Sequence, residues 1–205
     1  MRVRITFQKT GSLRYASILD LQKIWERGLR RANLPVQMSQ GFNPHAKIQI
    51  AHPLPVGFSG RNEIVDIFLD KEISIEILAV QLREALPEGL KIHTIVKVPE
   101  KPRSLTGIYT RAEYLVTLRN TRRDTIEEKI TELINSRNLI RERNNKKYDL
   151  RPLIHQLEIS QVSKTEVILS MVLSTEPGKT GRPDEVVFQL GLTLSDCTIE
   201  RTRLF

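Results

Sequence analysis

The hydrophobic period of this chain switches repeatedly between two and 3.6, and the order of those switches restricts its fold more than any other feature. Residues 2 to 7 alternate, with Val3, Ile5 and Phe7 apolar and Arg2, Arg4 and Thr6 polar, the pattern of a strand with one buried face. Gly11 ends that run. Ser17, followed three residues later by Asp20, forms a capping-box signature and opens a helical pattern that persists to about Asn33 and stops at Pro35. At about 100° per residue, Leu21, Trp25, Gly28, Leu29 and Ala32 gather on one side of this helix, and Lys23, Arg27, Arg30 and Arg31 on the other. Extended runs at 46 to 51 and 63 to 69 follow, then a helix from Ser74 to Leu86 ended by Pro87-Glu88-Gly89, then a strand at 91 to 98.

The order strand, helix, strand, strand, helix, strand predicts a ferredoxin-like unit: an antiparallel sheet with two helices on one face and the other face open. Residues 99 to 110 contain Pro99, Pro102 and Gly107 and read as a linker. The second half repeats the order less cleanly. A strand at 111 to 118 leads to a helix opened by Asp124, with Ile126, Ile130, Leu133 and Ile134 as its apolar positions. Extended runs at 139 to 144, 155 to 160 and 166 to 173, a short helix begun by Arg182-Pro183-Asp184-Glu185, and a strand at 197 to 204 complete it. The expected fold is α+β: two tandem ferredoxin-like (βαββαβ) units, 1 to 98 and 111 to 205, with antiparallel sheets and helices on one face.

Across 205 residues the formal net charge is +8, which favours an anionic partner. Its distribution is uneven: residues 1 to 47 carry a net +7 and 101 to 151 a net +6, while the segments between and after are slightly acidic. Two basic sets emerge, Lys23, Arg27, Arg30 and Arg31 on the first helix, and Arg122, Arg123, Arg141, Arg143, Lys146, Lys147 and Arg151 in the second half, as candidate phosphate contacts. The single cysteine, Cys197, excludes an intramolecular disulfide and any iron-sulfur cluster held by the chain's own thiolates, and fits a reducing cytoplasm. No run of about 18 apolar residues occurs, so no membrane association is expected. The four histidines lack a metal-binding spacing, and Gly178-Lys179-Thr180-Gly181 resembles the end of a phosphate-binding loop but has Leu173 where the first glycine belongs. Neither a metal nor a cofactor is expected.

The segment Ser39-Gln40-Gly41-Phe42-Asn43-Pro44-His45-Ala46-Lys47 concentrates a possible stacking ring, an amide and positive charge in one loop. Gln40, Gly41, Phe42, Asn43, His45 and Lys47 are therefore RNA-binding candidates. The plainer alternative is a structural turn with Phe42 tucked into the core. The outward positions of the first strand, Arg2, Arg4 and Thr6, offer no aromatic pair for base stacking, so any RNA contact would rest on backbone charge and the Phe42 loop. His45 is the one candidate for a general acid or base in a metal-independent phosphodiester cleavage.

RITFQKTGSLRYASILDLQKIWERGLRRANLP, SQGFNPHAKIQIAHPLPVG, YDLRPLI, GRPDEVV and ERTRLF, in this order, resemble the radical-SAM-linked protein family, a bacterial family of unknown function encoded beside, or fused to, an uncharacterised radical S-adenosylmethionine protein. Ile18 stands where that family usually has histidine after the serine of its LDL segment, so no catalytic residue is carried over. The resemblance implies a non-catalytic accessory module with a radical SAM protein as partner. Joined to the two basic sets, it leads to a module that binds RNA, tRNA or rRNA, and presents it for modification. The alternatives are an adaptor that binds only the radical SAM partner and a metal-independent endoribonuclease. Tandem ferredoxin-like units also occur in CRISPR repeat-processing endoribonucleases and some pseudouridine synthases, but the glycine-rich C-terminal loop of the former is missing here.

Overall fold

The computed structural model describes residues 1–99, 104–119, 121–143 and 145–205. The chain is α+β and divides into two compact units, Met1–Ile108 and Tyr109–Phe205.

In the first unit, β1 (Arg2–Lys9) is followed by a 3-10 turn and α1 (Ile18–Arg31), then β2 (Ile48–Ile50), β3 (Ser59–Phe68), α2 (Ile75–Ala85), β4 (Leu90–Val98) and a helical turn α3 (Leu105–Ile108). The strands lie in the order β4, β1, β3, β2, every neighbouring pair antiparallel. The capping box at Ser17 and Asp20 forms as expected, and Ser74 caps α2 by accepting from the Ile77 N–H. Val3, Ile5 and Phe7 pack with Leu21, Trp25 and Leu29 of α1 and Leu78 and Leu82 of α2, so both helices cover one face of the sheet. Each such side chain, fully buried, contributes about 1.5–3 kcal/mol. Phe7 and Trp25 meet edge to face at 5.1 Å. At Gly28 a Cβ would come within 2.7 Å of Leu86 Cδ2, so a larger residue there would displace the end of that side chain.

β3 begins at Ser59, four residues before the apolar run that predicts it, because its polar start is held in the ladder by Lys9 opposite Gly60 and Phe7 opposite Glu63. The sheet face expected to be open is not so at its centre. Arg4 lies directly across from Asp66, and Asp66 accepts from Arg2 and Arg4 together: Arg2 Nε at 2.8 Å, the Arg2 Nη2 group, Arg4 Nε at 2.9 Å and Arg4 Nη2 at 3.0 Å. Asp66 is 0% and Arg2 3% exposed. Buried charges need such saturation, since one left alone carries a desolvation penalty of several kcal/mol. At the end of β1 the buried Lys9 ammonium donates to the Ala16 carbonyl at 3.0 Å and braces the 3-10 turn between them. Within the stretch read as a linker, residues 100–103 lie outside the described residues, and Leu105 is fully buried in α3.

In the second unit, β5 (Arg111–Arg119), α4 (Arg123–Asn135), β6 (Ile140–Arg143), β7 (Lys146–Asp149), β8 (Ile154–Val162), β9 (Glu166–Glu176), β10 (Lys179–Thr180), α5 (Pro183–Gln189) and β11 (Cys197–Leu204) follow in order. β8, β9, β5 and β11 are neighbours in that order, all antiparallel, with β10 on the end of β9. α4 opens one residue earlier than Asp124, with Arg122 at its N-cap and no side-chain cap. It buries Ile126, Ile130 and Leu133, while Ile134 falls outside that stripe. The single extended run expected at 139 to 144 is the first arm of the β6–β7 hairpin; its second arm was hidden by two lysines, and Asn145 takes the positive φ of 60° that its turn requires.

Asp66→Ala leaves two guanidinium groups without their carboxylate and is expected to cost about 3–5 kcal/mol in urea unfolding. Cys197 is buried, and burial first and Asp196 second push its thiol up to about 11. At pH 8 only about one thiol in a thousand is then ionised, so a thiol reagent should label Cys197 only after denaturation.

Candidate nucleic-acid interface

Lys23, Arg27 and Arg30 recur at i, i+4 and i+7 along α1 and so share one exposed stripe. Beyond the helix the chain doubles back on itself. Val36 bridges Leu69 and Met38 bridges Ala46, leaving residues 39 to 45 as a projecting loop. The Ser39 N–H donates to the His45 carbonyl at 2.7 Å and the His45 N–H to Ser39 Oγ at 3.1 Å, which closes the loop at its neck. His45 Nδ1 also lies 2.9 Å from Ser39 Oγ, so the ring is oriented by its own loop. Gly41, at φ 132°, occupies backbone space that other residues avoid.

The loop and the helix stripe face a common cleft of about 530 Å³, with Lys23, Arg27 and Arg30 on one side and Met38, Pro44 and His45 on the other. Leu29 and Leu34 contribute apolar floor, and Glu26 is its one carboxylate. Neither Arg27 nor Arg30 has an ion pair among the described residues, so both keep their charge for a ligand. Phe42 does not tuck into the core: at 107% relative exposure it stands clear of the surface, and Gln40, Gly41 and Asn43 are exposed with it. A ring held out on a short loop has no packing function and suits stacking.

Arg31 is not part of that cleft. Its Nε and Nη2 donate to the Ala85 carbonyl at 3.0 and 2.6 Å, satisfying the C-terminal end of α2. Lys47 is also turned away, its Nζ 4.5 Å from the Phe68 ring centroid and 3.5 Å from Gln37 Oε1.

Within the second basic set Arg141 and Arg151 are engaged structurally, while Arg122 and Arg123 make only exposed ion pairs of little energetic weight. Arg123 Nε lies 3.3 Å from Glu127, Arg122 is within 3.8 Å of Asp124, and Arg141 Nε donates to the part-buried Glu185 at 2.6 Å. Arg151 Nε donates to the Ile134 carbonyl at 2.9 Å and its Nη1 to Ile154 at 3.3 Å, strapping the end of α4 to the start of β8. Arg143 and Lys146 instead line a pocket of about 1020 Å³ with Lys147, Tyr148, Lys179 and Arg182. Lys179 and Arg182 escaped the charge reading because their segment is acidic overall; the signal was Gly178-Lys179-Thr180-Gly181, which builds the short β9–β10 hairpin beside this pocket. Among the described residues no group of three or more His, Cys, Asp or Glu could hold a metal ion, and no helix is long and apolar enough to cross a membrane.

These placements separate exposed from structural side chains in a measurable way. Phe42→Ala should change unfolding free energy by less than about 0.5 kcal/mol. Arg151→Ala removes hydrogen bonds to carbonyls at two element ends and should cost about 0.5–1.5 kcal/mol in the same urea titration.

The fold has relatives among solved structures. A chain of the crystal structure of a Cbf5-Nop10-Gar1 complex is similar with a TM-score of 0.55 at 12% identity, covering 98% of this chain and 48% of that one. A chain from the structure of an H/ACA RNP bound to a substrate RNA containing 2'-deoxyuridine gives 0.52 at 11% identity, over 98% and 47%. One from the archaeal box H/ACA sRNP Nop10-Cbf5 complex gives 0.50 at 12%, again over 98% and 47%. The chain thus spans about half the length of the chains it matches, and at these identities the likeness is one of fold. No curated protein matches its sequence. Residues 2–183 match the model of a family described as uncharacterized protein conserved in bacteria (DUF2344), and the chain belongs to that family.

Proposed function

We propose that this chain is an RNA-binding accessory module that presents RNA, tRNA or rRNA, to a radical SAM enzyme and performs no bond chemistry itself. The observation that carries the reading is the cleft of the first unit, where the unpaired Arg27 and Arg30 face a loop that holds Phe42 fully in solvent. Guanidinium and ammonium groups along one wall suit phosphates, and an exposed ring on the facing loop suits an unstacked base. The strand order shared by both units supports taking each as ferredoxin-like, the second carrying β6–β7 as an insertion. Two fold neighbours come from structures described as an RNP bound to RNA and an sRNP complex, which is consistent with an RNA partner as an analogy at the level of fold.

The radical SAM partner rests on the resemblance of the sequence segments. One cysteine, buried and with a raised pKa, does not fit a cluster ligand set, so radical chemistry would belong to that partner and positioning to this chain. An endoribonuclease reading is weaker. Cleavage without metal needs a proton donor and acceptor at the reacting phosphate, and His45 is held by Ser39 with no second titratable side chain bonded to it among the described residues.

Filter binding of bulk tRNA across a salt series tests the reading. Affinity should fall linearly with log salt, and Arg27→Ala and Arg30→Ala should each reduce the slope by about 0.7–0.9 while Phe42→Ala weakens binding with the slope unchanged. Absence of binding at low salt would overturn RNA presentation in favour of an adaptor that meets only its enzyme. RNA cleavage abolished by His45→Ala would instead establish the nuclease.

A further inference from the structure

The β6–β7 hairpin carries a like-charge pair that the protein leaves unrelieved. In its register Arg141 stands opposite Tyr148, Glu142 opposite Lys147, and Arg143 opposite Lys146. The first pair is compensated, because Arg141 is bonded to Glu185 at 2.6 Å, and the second is itself of opposite sign. Arg143 and Lys146 have no ion-pair partner among the described residues, and like charges directly opposite in a ladder are destabilising. Both line the pocket of about 1020 Å³ to which β10 brings Lys179.

Other groups in this pocket point the same way. The Tyr148 hydroxyl is buried and has no hydrogen-bond partner among the described residues, an arrangement that costs free energy unless something supplies the missing acceptor. Burial first, and the Glu185 carboxylate second, raise the Tyr148 phenol above its ordinary range, so it stays protonated and able to donate. Of the two carboxylates in the lining, Asp149 is occupied by the backbone, its Oδ1 accepting from the Leu139 N–H at 2.8 Å and the Arg151 N–H at 3.0 Å. Glu176 is the other. His155 is held below its ordinary pKa by burial and by Arg111, and is neutral at pH 7. Pro152 and Leu153 add apolar surface.

We propose that this pocket binds a nucleoside phosphomonoester, with Arg143, Lys146 and Lys179 on the phosphate and the Tyr148 hydroxyl donating to it. A monoester carries close to two charges at neutral pH, whereas an internal phosphodiester carries one and favours cations spaced along an open track. Here the unpaired cations cluster on two hairpin ends around one cavity. That cavity far exceeds a bare phosphate, and its apolar wall suits the attached nucleoside. The same chemistry comes from two sources, a free nucleotide or the phosphorylated end of an RNA strand. The pocket lies wholly in the second unit and does not depend on the RNA reading of the first.

Isothermal titration of the full chain with a nucleoside, its monophosphate, and one oligoribonucleotide bearing a 5′-phosphate, a 3′-phosphate or hydroxyls at both ends decides it. A phosphorylated probe should bind at least about tenfold more tightly than its hydroxyl counterpart, and Lys146→Gln or Lys179→Gln should remove that difference. Tight binding of the monophosphate itself assigns a free nucleotide; preference confined to strands assigns an RNA end. Arg143→Gln should raise the thermal midpoint of the free protein while abolishing the phosphate preference, a pairing of effects that a merely structural arginine would not give. The proposal is overturned if phosphorylated and hydroxyl probes bind alike, or if Arg143→Gln lowers the midpoint. tRNA binding without any phosphate preference would overturn this site and spare the RNA reading, and monophosphate binding without tRNA binding would do the reverse.

Discussion

The buried carboxylate of Asp66, shared by Arg2 and Arg4, is the constraint on which the first unit depends. It fixes β1 against β3 in a single register, because a slip of one residue would strip the acid of its partners and turn Val3, Ile5 and Phe7 away from the helices. The rest of the candidate cleft hangs from the end of β3. Phe68 accepts from the Gln37 N–H at 2.8 Å and donates to the Lys47 carbonyl at 3.2 Å, and the Lys47 N–H donates to Gln37 at 2.7 Å. Those bonds hold both legs of the loop that carries Phe42 and His45. A polar cluster inside the sheet thus positions an aromatic ring outside it.

Net charge alone is a poor guide to where an anion would sit. Arg31, Arg141 and Arg151 all contribute to the basic excess, yet each is bonded to a carbonyl or carboxylate that holds the fold together. Among the described residues, the cations without a bonded partner include those of the α1 stripe and of the hairpin ends in the second unit, and these two groups each line a pocket. A guanidinium satisfied by backbone carbonyls has little left to offer a ligand, while one facing a like charge gains from any anion that arrives.

Several elements were legible because short-range chemistry decides them. The Ser17–Asp20 capping box, the alternation of β1, the glycine after α2 and the stripe of Ile126, Ile130 and Leu133 follow from contacts within a few residues. The β6–β7 hairpin was half missed because Lys146 and Lys147 weaken its strand pattern, and its ladder is closed by pairing rather than propensity. The start of β3 was missed for the same reason. The sheet face is not open as expected: alternation marks Arg2 and Arg4 as polar, and polarity looks like solvent until the matching acid is found 62 residues away from Arg4.

By itself, then, the sequence determined the order of the main helices and strands of the first unit, the two basic blocks and the inability of a single cysteine to hold a cluster, since all of these rest on local periodicity or on composition. Only tertiary structure decided which charges are neutralised, that Phe42 stands in solvent, and that the Gly178–Gly181 turn meets Arg143 and Lys146 at one pocket. Those outcomes depend on partners brought together from distant parts of the chain, and no local pattern encodes the distance between them.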